Sequence, residues 1–133
     1  MAATLDAWEA DCVAVVFSRD TDGDPDRAKD IEKGVERAQD AYPVRVIGGV
    51  AHHELEAWML ALRGQLKSED HKDAKRVLEE AGAGRADTAV MVAIVENADL
   101  EAIPADAHTL RAWLESARRE LPGVVRDHAG RAP

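Results

Sequence analysis

Polar and apolar positions follow one another in blocks of changing period, and each change marks an element. Val13 to Phe17 is an unbroken apolar run headed by Cys12, which predicts a short buried strand over residues 12–17. At Asp24-Pro25-Asp26 the period becomes helical, with an N-cap, a proline in the first turn and early acids. Ala28, Ile31, Val35 and Ala38 then share one face, predicting a helix to about residue 40 that Tyr42-Pro43 ends. Residues 44–50 read as a second apolar strand with Gly48-Gly49 near its end. Over residues 52–66, Leu55, Trp58, Met59 and Leu62 follow the i, i+3, i+4, i+7 spacing of a core-facing helix. A further helix is predicted over residues 72–80, closed by Gly82 and Gly84. Residues 86–97 are valine-rich, which suits a buried strand, but their length and alanines favour a helix. Residues 106–121 form an amphipathic helix through Leu110, Trp113, Leu114 and Ala117, residues 5–10 suggest a short helix, and residues 122–133 read as a polar, frayed tail.

The order strand, helix, strand, helix, then more helices predicts an α/β fold. A β-α-β crossover of this length implies parallel strands with a right-handed connection. The chain of 133 residues suffices for one domain with its own core, taken as residues 1–121, and no repeat or linker divides it. Two strands alone make a poor sheet. A further strand, a partner chain or a segment before the N-terminus is therefore expected to complete it.

No apolar stretch approaches a membrane span. The N-terminal residues carry acid and no basic region, so no signal peptide is expected, and the lone cysteine, Cys12, cannot form an internal disulfide. Both point to the cytoplasm. The net charge of −9 argues against a protein that coats nucleic acid through a basic face. It leaves room for a nuclease, in which metal ions supply positive charge at the phosphate.

The candidate chemistry is acidic. Asp20, Asp22 and Asp24 follow the first strand, and His52-His53-Glu54-Leu55-Glu56-Ala57-Trp58 follows the second. In a parallel pair both clusters lie at the carboxyl edge, where open α/β sheets bind ligands. Hard oxygen ligands gathered there suit Mg²⁺ or Mn²⁺. The plainer reading is a solvated acidic turn with Asp24 as N-cap. On the helix His52 and Glu56 share a flank and Glu54 emerges on the other, so the two glutamates do not serve one ion; favourable charge in a first helical turn is the plainer reading for both. A cap or surface pair is the plainer reading for the histidines. Asp20-x-Asp22-x-Asp24 opens like an EF-hand loop, but Pro25 stands where that loop needs glycine and Ile31 where it needs glutamate. There is no phosphate-binding Gly-x-x-x-x-Gly-Lys loop and no zinc-protease His-Glu-x-x-His.

The apolar strand ending in Asp20-x-Asp22, the helix, the second strand and Glu54-Leu-Glu-Ala-Trp-Met-Leu-Ala61 together resemble Toprim-like domains. That topoisomerase–primase fold also occurs in overcoming-lysogenization-defect nucleases and in small prokaryotic proteins with an acidic strand end and a Glu-x-Trp helix. Ser68 to Lys75 and Asp106-Ala-His-Thr-Leu110 look like that group's helical half. The resemblance implies a small parallel sheet followed by C-terminal helices, and a divalent-metal site for phosphodiester chemistry. Asp20 and Asp22 match the metal pair and Glu56 matches the Glu-x-Trp glutamate; in the enzyme reading Asp20 and Asp22 hold the ion, Asp24 assists through water, and Glu56 is the catalytic residue that orients a ligand or the second shell. Two features depart from the pattern. The upstream strand ending in a catalytic glutamate has no counterpart, since Glu9 is not at a strand end, and Leu62 stands where relatives often carry aspartate.

The reading is thus a metal-dependent nuclease or nucleic-acid-processing component. The alternative is a non-catalytic module that dimerises or docks on a partner to complete the sheet, as an exposed edge strand allows. A haloacid-dehalogenase-like phosphatase, with Asp20 as nucleophile and Asp22 as acid, ranks below both, because Asp24 stands where that pattern wants threonine.

Overall fold

The computed structural model describes residues 13–131. The expected helix over residues 5–10, together with Glu9 and Cys12, lies outside them. The described chain is mixed α/β: strand β1 (Ala14–Asp20), helix α1 (Pro25–Ala41), strand β2 (Arg45–Ala51), then helices α2 (Leu55–Leu62), α3 (Ala74–Leu78), α4 (Thr88–Glu96) and α5 (His108–Arg131). A 3₁₀ turn (Ser68–Asp70) precedes α3, and a π turn (Glu79–Ala83) follows it. Among the described residues the sheet has two strands, paired in parallel with Ala14 opposite Arg45 and Asp20 opposite Ala51. No described helix is long and apolar enough to cross a membrane.

α1 starts where its sequence asks it to. Asp24 has extended backbone and accepts the Asp26 N–H at 2.9 Å, with Pro25 next. The helix lies on one face of the sheet, where Ala38, Val44 and Val46 are buried against Val15, Phe17, Val35 and Tyr42. α5 covers the other face. The Trp113 ring sits over Gly49, and its indole N–H donates to the Phe17 carbonyl at 2.9 Å.

The two sheet glycines are steric requirements. A Cβ on Gly48 would fall 2.6 Å from Phe17 Cε1 and 2.7 Å from Val35 Cγ2. Gly48→Ala is therefore expected to destabilise the fold by roughly 1–2 kcal/mol through overpacking. Chemical denaturation should show a smaller cost when Phe17→Leu is already present, because the two sites share one space.

The larger core is centred on α2, where Ala57, Trp58, Met59, Leu60 and Ala61 are all buried. Leu78 from α3, Leu110 from α5 and Ile103 close around them, with Met91 and Ile94 of α4 packed against the outside. α2 is shorter than its apolar spacing suggests at both ends. It starts at Leu55 because His53 has φ +64°, left-handed backbone that no helix continues through. It stops at Leu62 because Gly64, with φ +84°, turns the chain. There the Gly64 N–H bonds to the Ala61 carbonyl and the Gln65 N–H to the Leu60 carbonyl, the paired closure of a glycine C-cap. α3 begins behind Asp73, whose side chain accepts the Arg76 N–H. The ambiguous segment is helical as α4, capped by Asp87. α5 runs past Leu121 and through Pro122 to Arg131, where a polar tail was expected.

Candidate functional site

Both strands end at one edge, and the two loops beyond them are tied together. The Thr21 N–H extends the ladder to the Ala51 carbonyl at 3.1 Å, and the Asp22 N–H reaches the His53 carbonyl at 2.9 Å. In return, the His53 N–H donates to Thr21 Oγ1 at 2.7 Å. Thr21 is buried, so its hydroxyl acts as an internal clip. Asp22 and His53 both hold left-handed backbone, at φ +50° and +64°. Non-glycine residues adopt this conformation at a cost of about 1–3 kcal/mol each, and it persists where surrounding bonds over-determine it. The strain sits where the candidate chemistry does.

Asp20 is the last residue of β1, and its side chain reaches the start of α2. Glu54, the N-cap of α2, makes no capping bond through its side chain. Asp20 Oδ1 instead accepts the Leu55 N–H at 2.7 Å, capping α2 from 35 positions away. Among the described residues no hydrogen bond reaches its other oxygen. Burial raises the Asp20 carboxyl above its ordinary value; the Leu55 N–H works against this and the Asp22 charge with it. Glu56, in the first turn of α2, is likewise raised, first by burial and further by Glu54 and Asp20. The edge therefore holds two carboxylates whose charge the fold disfavours.

Asp22 lies beside Asp20 but is turned to Arg27. Arg27 Nη1 stands 2.6 Å from Asp22 Oδ2 and 3.3 Å from the Asp20 carbonyl. A cavity of about 300 Å³ opens here, lined by Ser18, Arg19, Asp20, Asp22, Arg27 and Leu55. Glu56 follows Leu55 in the chain and is not part of that lining. A larger cavity of about 680 Å³ lies between the end of α2 and α4, but Val90, Ala93 and Ile94 make much of its wall. It offers no gathered carboxylates, so we place the candidate chemistry at the strand ends.

The three aspartates expected as one metal set do not converge. Asp24 is occupied as the N-cap of α1 and Asp22 is paired with Arg27. Among the described residues no group of three or more His, Cys, Asp or Glu side chains is arranged to hold a metal ion. Asp20 and Glu56 are the two carboxylates of this edge that burial raises, and the Asp20 charge acts on Glu56; Mg²⁺ is often bound by one or two carboxylates with water and phosphate oxygens completing the shell. Glu54 Oε2 accepts the Lys75 N–H at the start of α3, and the charges of both Glu54 and Asp20 act on Glu56. The expected i, i+4 relation of His52 and Glu56 does not hold, because α2 begins three residues after His52. The His52 ring lies against His53 instead, with centroids 4.0 Å apart. His53 is lowered from its ordinary value by burial, with His52 and Lys72 adding to the effect.

Four supporting residues carry no local signal in the sequence. Arg27 and Thr21 have been described. Thr109 Oγ1 accepts the Trp58 indole N–H at 2.8 Å and the His52 N–H at 3.4 Å, which joins α5 to α2 and to the β2 loop. Buried Glu69 takes the Thr109 N–H on both carboxylate oxygens, each at 3.0 Å, and the Leu110 N–H at 3.3 Å. The tryptophan after Glu56 is thus the anchor of that helix rather than a part of the cavity. No family model matches the chain, and neither a curated protein nor a solved structure matches it.

Proposed function

We propose that the chain is a Toprim-like protein that binds a divalent cation, Mg²⁺ or Mn²⁺, through Asp20 and Glu56 and acts on a phosphodiester. The observation that carries this is the tether between the strand ends. Asp20 caps α2 directly, so the carboxylate ending β1 and the glutamate one residue past the capped N–H are held in one rigid unit. Among the described residues neither carboxylate forms an ion pair, and Arg19, Arg27 and Lys75 offset their burial only in part; like charges so placed are a poor structural device and a good binding one.

Each side chain has a definite part. Asp20 and Glu56 bind the ion. Arg27 holds Asp22 aside in the free protein. A phosphate arriving in the cavity competes for the guanidinium, which recognises phosphate as well as carboxylate. That exchange frees Asp22 to join Asp20. Asp24 stays with α1 and keeps the loop in place. A bound divalent ion supplies Lewis acidity and a more acidic water.

Calorimetric titration with Mg²⁺ and Mn²⁺ tests the reading. Saturable binding is expected in the wild type and none in Asp20→Asn/Glu56→Gln. Retained binding in that variant, or none in the wild type, would remove the cation from the proposal. Arg27→Ala should bind the ion no worse than wild type, since it releases Asp22, while losing any cleavage of a nucleic-acid or dinucleotide phosphodiester.

A further inference from the structure

The sheet has a second unfilled position, away from the carboxylates. The bonds Arg45 N–H to Val13 carbonyl and Thr21 N–H to Ala51 carbonyl fix the parallel ladder. Arg45, Ile47, Gly49 and Ala51 therefore face their backbone groups to β1, while Val46, Gly48 and Val50 face theirs outward. The two ends of this outer edge are already closed by side chains. Gln39 imitates a neighbouring strand, its Oε1 accepting the Val46 N–H at 2.9 Å and its Nε2 donating to the Val44 carbonyl at 3.1 Å. Thr109 Oγ1 takes the His52 N–H at the other end. Between them, no described residue hydrogen-bonds the outward groups of Gly48 and Val50. The gap is the floor of a groove of about 470 Å³ between α1 and α5.

We infer that this groove takes an extended, basic segment of a partner protein as a third strand beside β2. A strand there would alternate its side chains between the two helical walls. The α1 wall offers Ile31 and Val35 in its depth, with Glu32 and Glu36 at the rim. Those glutamates are exposed, stand four apart on one helix, and make no ion pair among the described residues. A like-charged pair at that spacing disfavours the helix it sits on. Lysine fits this wall, laying its stem over the apolar residues and its ammonium at the rim. The α5 wall offers the Trp113 ring, Ala112 and Ser116, which suit a small apolar side chain, and Arg119, whose charge is paired with Glu120 at 3.7 Å.

Charge and shape select the occupant. Residues 1–12 contain Asp6, Glu9 and Asp11 and no lysine or arginine, so they are the wrong charge for this wall. Edge-to-edge pairing of two copies is disfavoured, because each edge is recessed between its own two helices. The inference is independent of the cation site, whose residues do not line the groove.

The probe is the peptide acetyl-Lys-Val-Lys-Val-Lys-Val-Lys-amide, titrated into the full chain while amide hydrogen exchange is followed by NMR. The peptide is expected to bind and to slow exchange at Gly48 and Val50. Glu32→Lys/Glu36→Lys, both at exposed positions, should weaken binding about tenfold or more. Ala112→Trp, which fills the groove from an exposed position, should abolish it. A peptide N-methylated at its valines or at its lysines loses one edge's donors, and one of the two should fail to bind. Three results would overturn the inference. One is binding that leaves Gly48 and Val50 exchange unchanged, which is surface charge alone. Another is no binding. The last is Gly48 and Val50 amides already protected in the free chain, which means that its own residues or a second copy fill the edge.

Discussion

Glu69→Ala is expected to destabilise the protein by about 2–4 kcal/mol, although Glu69 lies in a 3₁₀ turn and lines neither the strand-end cavity nor the groove. Its carboxylate is buried and receives the Thr109 and Leu110 N–H groups, two of the four that the start of α5 cannot satisfy within itself. Hydrogen bonds to a charged group are worth about 1.5–3 kcal/mol, and a buried donor left unpaired costs about 1–3 kcal/mol. The negative charge also suits the positive end of the helix. Glu69→Gln should cost less, because it keeps one acceptor and loses the charge. The damage should spread along a known route. Thr109 binds the Trp58 indole, so loosening the start of α5 releases the anchor of α2. Urea denaturation of the two variants measures the costs, and equal stability of Glu69→Ala and wild type would show that α5 is held by its apolar face alone.

Saturating Mg²⁺ is expected to raise the stability of the wild type by about 2.7 kcal/mol at a hundredfold excess over its dissociation constant. Asp20→Asn/Glu56→Gln should show no such gain. Without cation the order of stability reverses. Asp20 and Glu56 both lie above their ordinary values in the folded state, mainly through burial. Such groups favour folding when protonated. Their contribution is complete at pH below the unfolded carboxylate values, around 4, and is lost as pH rises through the folded ones. Glu56→Gln should therefore be more stable than wild type at neutral pH in a chelating buffer and indistinguishable from it near pH 3. Thermal unfolding across that range, with and without Mg²⁺, separates the two effects. A Glu56→Gln variant less stable than wild type at neutral pH would mean that Glu56 is held by a favourable structural contact.

The parts of the fold legible in the sequence are those set by local chemistry. Asp24-Pro25 announced α1, and the apolar runs announced both strands, their parallel order and the convergence of their ends. The spacing of Leu55, Trp58, Met59 and Leu62 announced the buried face of α2. Its early stop was also written locally, in Gly64, but the apolar periodicity outweighed a single glycine. The rest lay in distant pairings. Nothing near Asp20 in the chain shows that it caps a helix 35 positions on, and nothing near Glu69 shows that it caps one 40 positions on. Asp22 and Asp24 have the spacing of ligands, yet one is taken by Arg27 and the other by a backbone N–H. Acidic residues at a strand end thus carry two meanings, and only the tertiary partners separate them. The supporting residues Thr21, Arg27 and Thr109 are of common types at unremarkable positions, so their roles had no signature before the chain was folded.

The Trp58–Trp113 pair has an optical consequence. The rings stand 5.5 Å apart at 46°, one indole N–H fixed to Thr109 and the other to the Phe17 carbonyl. Two indoles held this close at a fixed tilt couple their electronic transitions, so the folded chain carries its own exciton signal in circular dichroism. One ring belongs to the helix that follows the second strand and the other to the helix that covers the sheet. The signal therefore reads the closure of those two layers directly, with no label attached, and its loss would mark their separation before the helices themselves unwind.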